Sequence, residues 1–384
     1  MVPRFILPPS PQAGVRLALL SMDYPPRMAG GTTIHTRALA LALLEQGHEV
    51  HVVAARTPEA PEEEVREGVS VHRVKNPYTA WSAIYTGTLV KDLDVVHGHG
   101  DNAYGHLKMR SFPTVVKMHS TWSAELERYR DLGSGVGTLM AMRAHVRMDK
   151  YCARNADHLI CITEVIAGET QRAYGVPRDR MTVVHNGVDL PAFRDAASAR
   201  DETRDRLDLE GLTVLYAGRL VPHKGVGDLV EAMKGLDAQL LVVGDGQSRA
   251  GLEARARDLG VKATFTGFID HKEVPAHYAA ADIVCYPSLY EPLGNVVLEA
   301  MAAGKPIVCT DAGGMGEVYE PGTGALVQPG DVDGLHRALE QLVDDEGVRR
   351  AAGAKGRETA PRYGWDRVAR TTIEVCQRIL DERA

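Results

Sequence analysis

Short apolar runs rich in valine, isoleucine and leucine alternate with longer mixed stretches along nearly the whole chain. The runs predict strands at residues 16–22, 50–54, 94–97, 114–119, 158–162 and 181–185. A second series is predicted at 213–218, 239–243, 263–267, 283–288, 306–310 and 325–327. Between them, segments such as 32–46, 225–235 and 295–303 carry their apolar positions at helical spacing. Nearly continuous apolar strands alternating with helices mean parallel sheets covered on both faces.

The two series are separated by residues 195–210, DAASARDETRDRLDLE, which almost lack large apolar side chains and read as a linker region. Each half then has about six strands, the size of one doubly wound domain. Such a domain binds ligands at the carboxyl ends of its strands. The expected organisation is a lead-in without order at 1–13, where four prolines fall, then a domain over 14–193 and a second over 194–364. A last helical stretch occupies 365–384, and periodicity leaves open which domain it packs on.

Composition narrows the class. At about 150 residues per domain, 384 residues suit two domains. Hydrophobic residues at 44% and charged residues at 25% are the proportions of a globular protein. A net charge of -7 argues against a dedicated nucleic-acid binder, whose phosphate contacts favour a basic surface. No apolar run reaches the length of a spanning helix, and the first 13 residues lack the apolar core of a secretory signal. The five cysteines form no C-x-x-C pair and are expected as buried thiols in a reducing cytoplasm.

Candidate chemistry gathers at predicted strand ends. In 287–306, PSLYEPLGNVVLEAMAAGKP, a strand gives way to a loop with Glu291 and Gly294, which opens a helix carrying Glu299. Free N–H groups at a helix start attract anions, and glycine lets a ligand approach the backbone. Two carboxylates eight residues apart suit two sugar-like groups, or are simply a helix-start acid and a solvated helix-face acid. In Gly218-Arg219-Leu220-Val221-Pro222-His223-Lys224-Gly225, two cations five residues apart suit a diphosphate, Arg219 as a fork and Lys224 as a point charge; each also reads as an ordinary surface cation. Gly30-Gly31 follows the first strand and could present N–H groups. Neither G-x-G-x-x-G nor a Walker A motif occurs, which counts against dinucleotide enzymes and P-loop kinases.

His119 ends a predicted strand. His97 and His99 follow another and could meet an acceptor, with no further ligand set in the sequence to suggest a metal. Arg143, Arg147, Lys150 and Arg154 share one helix face and suit an acidic acceptor or an anionic membrane surface, or form a salt-bridged face near Asp149 and Asp157. The two D-x-D triplets, at 92–94 and 331–333, abut a strand start and a helix start and do not read as metal ligands.

In their order these blocks resemble the retaining glycosyltransferases of the GT-B fold, specifically glycosyltransferase family 4, over about residues 15–380. Glu291 to Glu299 matches that family's E-x7-E motif, and Gly218-Arg219-Leu220 with Lys224-Gly225 its phosphate clamp. Asn186-Gly187-Val188-Asp189, Gly244-Asp245-Gly246 and Gly267-Phe268 fall where the family has them. The resemblance implies an α/β GT-B fold, two Rossmann-like domains facing across a cleft, with the last helix crossing back to the first domain. It implies a hexosyltransferase that uses a nucleoside-diphosphate sugar, retains anomeric configuration and needs neither metal nor cofactor.

On this reading Arg219 and Lys224 bind the diphosphate, Glu299 the ribose, and the backbone around Phe268 and Ile269 the base. Glu291 and the N–H groups of Leu293, Gly294 and Asn295 contact sugar and diphosphate. Gly30 and Gly31 add contacts from the first domain, and His119 touches the transferred sugar. Acceptor contacts are expected from His97, His99, Arg143, Arg147 and Arg154. The acceptor is a small molecule or glycan, and the location cytoplasmic, with peripheral contact at the inner membrane face left open. A retaining phosphorylase, a nucleotide-sugar epimerase and a bilobal sugar-binding protein are the alternatives.

Overall fold

Fourteen strands, β1 to β14, form two sheets in the computed structural model, which describes residues 14–27, 30–75, 93–109, 112–131 and 135–383. The lead-in at 1–13 and Asp92 of the first D-x-D lie outside the described residues. By contacts the chain divides into two units. Unit 1 holds 1–160, 170–182 and 369–384; unit 2 holds 161–169 and 183–368.

The sheet of unit 1 contains β1 (Arg16–Leu20), β2 (Glu49–Ala55), β3 (Glu63–Arg66), β4 (Val69–Val74), β5 (Val95–His99), β6 (Thr114–Met118), β7 (His158–Cys161) and β8 (Met181–Val183). Their order is β3-β4-β2-β1-β5-β6-β7-β8. The pairs β4–β2, β2–β1, β1–β5 and β5–β6 are parallel, and β3–β4 is antiparallel. Neither strand of the hairpin β3–β4 is among the predicted ones: β3, Glu-Glu-Val-Arg, is an edge strand with little apolar surface to bury, whereas β4 carries a legible alternation, with Val69 and Val71 fully buried. The hairpin's other available signal was the turn Glu67-Gly68, whose φ values of 53° and 85° suit a two-residue hairpin loop. Arg73, 1% exposed, anchors this edge by donating to Glu64 at 2.7 Å and to the Pro25 carbonyl at 2.6 Å.

The sheet of unit 2 contains β9 (Thr213–Ala217), β10 (Gln239–Val243), β11 (Ala263–Gly267), β12 (Ile283–Tyr286), β13 (Ile307–Thr310) and β14 (Gly324–Val327), all parallel. The order β11-β10-β9-β12-β13-β14 is that of a doubly wound sheet. Its strand order reverses between β9 and β12. Val214, Leu215, Leu240, Leu241, Ile283, Val284, Ile307 and Val308 are fully buried, the expected state of strands covered by helices on both faces.

The linker expectation at 195–210 is corrected. The segment forms a 3₁₀ turn, Ala196–Ala199, and a helix, Arg200–Arg206, inside unit 2. Arg200 donates to the carbonyls of Ala279 and Ala281 at 2.7 and 2.8 Å and to Asp282 at 2.6 Å, and Arg204 to the Ala280 carbonyl at 2.8 Å. Its polarity therefore serves the carboxyl end of the helix Val274–Ala280, where carbonyls need donors. All five cysteines are buried free thiols.

Candidate functional site

The site in unit 2 starts where the order of its sheet reverses, the place at which such sheets open a crevice for ligands. From β9 the chain leaves through Gly218 and the exposed Arg219 to the 3₁₀ turn Pro222–Lys224. Gly225 follows with φ 65°, and a β-carbon there would sit 2.0 Å from the Pro287 carbonyl oxygen. Only glycine lets this turn press against the segment leaving β12. The Leu289 N–H donates to the His223 carbonyl at 2.9 Å, so the cation loop and the glutamate loop are joined backbone to backbone.

Lys224 Nζ donates to Glu291 Oε2, with side-chain exposures of 14% and 18%. The two residues read separately in the sequence are thus one ion pair, half shielded from solvent. A third loop supports them: the Gly314 N–H donates to the Glu291 carbonyl at 2.8 Å. A β-carbon at Gly313 would lie 2.3 Å from that carbonyl oxygen, and one at Gly314 2.1 Å from the Pro292 carbonyl oxygen. This gives Gly313-Gly314 a supporting role beneath the glutamate loop.

Gly294, at φ 83°, turns the chain into the helix Asn295–Ala303. No side chain caps that helix, so its first N–H groups are available to an anion. Leu293 is buried at 2% exposure, while Asn295 is exposed and its Oδ1 accepts from Asn186 Nδ2 at 3.1 Å. One turn into the helix, Glu299 accepts from the Tyr278 hydroxyl at 2.7 Å. Burial pushes the Glu299 carboxyl above the usual range, opposed by the Tyr278 bond and by nearby His271. Tyr278 escaped the sequence reading; its only trace there was an aromatic in a short helix. At the end of β11, Gly267 (φ 75°) precedes Phe268, which is 85% exposed, and the half-buried Ile269.

Several blocks serve the scaffold. Asp189 caps the helix Leu190–Asp195 by accepting from the Ala192 N–H at 3.0 Å, and Gly187 clears the Trp365 ring. Glu317 accepts the N–H groups of Glu164 and Val165 at 2.7 and 2.8 Å. Of the D-x-D acids, Asp94 accepts the Arg16 N–H at 2.7 Å and Asp331 caps a helix through Gly334 N at 2.8 Å.

In unit 1, Gly30 and Gly31 open the helix Gly31–Glu45 with open space where their side chains would be. His119, half-buried at the end of β6, lies with Nε2 3.0 Å from His99 Nδ1. His97 is fully buried, and burial lowers its imidazole to about 3. It presents no surface to an acceptor, which corrects the expectation for that residue; His99 is nearly as deep at 3%. Arg143 and Arg147 are exposed on the helix Val136–Asn155. Arg154, also exposed on that helix, donates through its Nε to the Tyr174 carbonyl at 2.6 Å. No helix among the described residues is long and apolar enough to cross a membrane.

A family model described as "Glycosyl transferases group 1" matches residues 199–359, and one described as "Glycosyltransferase Family 4" matches residues 29–191. The glycogen synthase of Mycobacterium tuberculosis is 33% identical to this chain over 94% of each protein. Among solved structures, sucrose-phosphate synthase from Thermosynechococcus elongatus superposes with a TM-score of 0.79 at 24% identity, covering 96% of this chain and all of that one. The Anabaena HepE protein in complex with UDP-glucose gives a TM-score of 0.73 at 21% identity, over 94% of this chain and 99% of that one. With two α/β sheets, the second wholly parallel, the cation and glutamate blocks at the strand ends of the second, and relatives along its length, the chain belongs to glycosyltransferase family 4 and has the GT-B fold.

Proposed function

We propose that this glycosyltransferase moves a hexosyl unit from a nucleoside-diphosphate sugar to an acceptor hydroxyl, with retention of anomeric configuration and without a metal ion at the diphosphate. The observation that carries the reading is the convergence, in unit 2, of Arg219, the Lys224–Glu291 pair and the uncapped start of the helix Asn295–Ala303. In the reaction the bond from the anomeric carbon to the phosphate oxygen breaks and charge gathers on the leaving diphosphate. Arg219, Lys224 and the N–H groups of Leu293, Gly294 and Asn295 would stabilise that charge, a task for preorganised donors. The acceptor oxygen bonds to the same face of the carbon, and its proton passes to the departing phosphate oxygen. No side chain is assigned as general base.

Glu299, steadied by Tyr278, would accept hydrogen bonds from the donor ribose, and the chain at Phe268 and Ile269 would meet the base. Glu291 would bind the sugar while keeping Lys224 in place. Gly30, Gly31 and His119 are assigned to the substrate contributions of unit 1, and the acceptor to that unit, with Arg143, Arg147 and Arg154 as exposed cations. The donor class is supported by the UDP-glucose complex of the structural neighbour.

The test is a hydrolysis and thermal-shift screen of UDP-, GDP-, ADP- and TDP-sugars against the wild type and Glu299→Ala. One donor should shift the wild type and be hydrolysed slowly, and Glu299→Ala should lose that shift. Absence of any response, or binding untouched by the substitution, would refute the assignment. Proton NMR of the first-formed product reads the anomeric configuration.

A further inference from the structure

The crevice position of unit 1, where its strand order reverses between β1 and β5, holds a second cluster. His35 from the helix Gly31–Glu45, His99 from the end of β5 and His119 just after β6 bring a ligand nitrogen each to within 4.8 Å of one another. In sequence they are 64 and 20 residues apart, which is why His97 and His99 suggested no ligand set on their own. We propose that these three imidazoles form a site for a borderline transition-metal cation of the zinc type, and that its occupation withdraws His119 from substrate.

The tautomers fit. Thr36 Oγ1 donates to the Thr32 carbonyl at 2.9 Å, so its contact with His99 Nε2 at 3.1 Å is made by the ring N–H. The lone pair of His99 is thereby turned to Nδ1, which faces His119 Nε2 at 3.0 Å. A metal ligand whose other ring nitrogen is held by an outer partner is the usual arrangement for histidine. Metal–nitrogen bonds of about 2.0–2.1 Å put tetrahedral ligand atoms about 3.3–3.4 Å apart, so the His99–His119 pair, at 3.0 Å, opens slightly and the wider contacts, within 4.8 Å, close by up to about 1.4 Å. Without metal, the His119 N–H donates to His99; with it, that proton moves to His119 Nδ1 and no net charge is lost from the rings.

Burial lowers all three imidazoles below the ordinary range, and Lys117 acts in the same direction. His35 and His99 are 2% and 3% exposed, whereas His119 is half-buried and leaves a side open for a water ligand. The donor set is all imidazole, which suits zinc, copper or nickel and disfavours magnesium and calcium. Lys117, buried on β6, opposes a second cation, so micromolar rather than nanomolar binding is expected.

The experiment is titration of the full chain with cobalt(II) chloride, read by its d–d absorption, with zinc chloride as competitor. One cobalt per chain with the intense bands of a four-coordinate site is expected, displaced by zinc and not by excess magnesium. Thr36→Val should weaken binding by about 10–100-fold, as loss of an outer partner does. His35→Gln should abolish the bands in a protein whose circular dichroism stays native. If that variant does not fold, His119→Gln, at a half-buried position, should abolish them instead. No d–d bands, a six-coordinate spectrum, displacement by magnesium, or bands that persist in the histidine variants would overturn the site. Binding needs no donor sugar, so this result stands apart from the proposed function; only the expected inhibition of turnover by zinc rests on that reading.

Discussion

Lys224 and Arg219 share a charge and a loop but not an environment. Arg219 is exposed, and Lys224 is held by Glu291 at 14% exposure. Replacing either by alanine should lower turnover by about 10²–10³-fold, the usual cost of one donor to a developing oxyanion. Lys224→Ala also strips a half-buried carboxylate of its partner. Its effect should therefore be markedly non-additive with Glu291→Ala in a double-mutant cycle of kcat/KM, and simple additivity would contradict a working pair. On the proposed reading Tyr278 is a positioning residue, reaching the donor only through Glu299. Tyr278→Phe should raise KM for the donor with little change in kcat, since ribose contacts hold ground and transition states alike; a fall in kcat alone would place Glu299 nearer the reacting bond. None of these pairings could be read from the chain. Lys224 and Glu291 are 67 residues apart, Tyr278 and Glu299 are 21 apart, and each meets its partner only because β9 and β12 are neighbours or a helix folds back on the sheet.

Among the elements, the ones decided by local chemistry were legible. The segments 239–243 and 263–267 are strands as expected, since both are apolar or β-branched runs bounded by turn residues. The helix Asn295–Ala303 opens after Gly294 as its sequence suggests. The elements missed include two with little or nothing apolar to announce them, the edge strand Glu63–Arg66 and the helix Arg200–Arg206, whereas the strand Val69–Val74 was missed although its valines alternate. The two polar elements are organised by arginine bonds to carbonyls and acids that only the fold supplies. Gly225 belongs to this scale, because its φ and its contact with Pro287 hold two loops together. Gly225→Ala should destabilise the protein by about 1–3 kcal/mol, the range for a strained backbone position, and depress donor binding beyond that loss. Urea melts beside donor titrations would show it. An alanine variant with unchanged donor affinity would mean that the two loops are positioned independently.

For the whole molecule, buried charge sets a pH dependence that no motif foretells. Asp149 is 1% exposed, accepts from the Trp122 N–H at 3.1 Å and from the Tyr174 hydroxyl at 2.6 Å, and is raised by burial from 3.8 to about 7. Between those values the folded chain keeps a proton that the unfolded chain has lost. Stability from this group therefore falls as pH rises from about 4 to about 7. Asp149→Asn retains an acceptor for both donors and cannot ionise, so its stability relative to wild type should grow across that window in urea melts. A constant difference would show that Asp149 is ionised in the folded state.

Taken alone, the chain determined that there are two α/β domains, that glycines, cations and carboxylates suited to phosphate and sugar cluster at strand ends, and which family carries those blocks. These are properties of local spacing: apolar period, glycine position and charge at a helix start act over a few residues and survive being read in one dimension. Tertiary structure decided which groups act together. It paired Lys224 with Glu291, set Tyr278 on Glu299, tied Arg154 to the Tyr174 carbonyl, buried His97 and gathered His35, His99 and His119 at one point. The reason is geometric. Parallel strands that are neighbours in a sheet come from distant parts of the chain, so a site built at their ends is assembled by strand order, which spacing along the sequence does not encode.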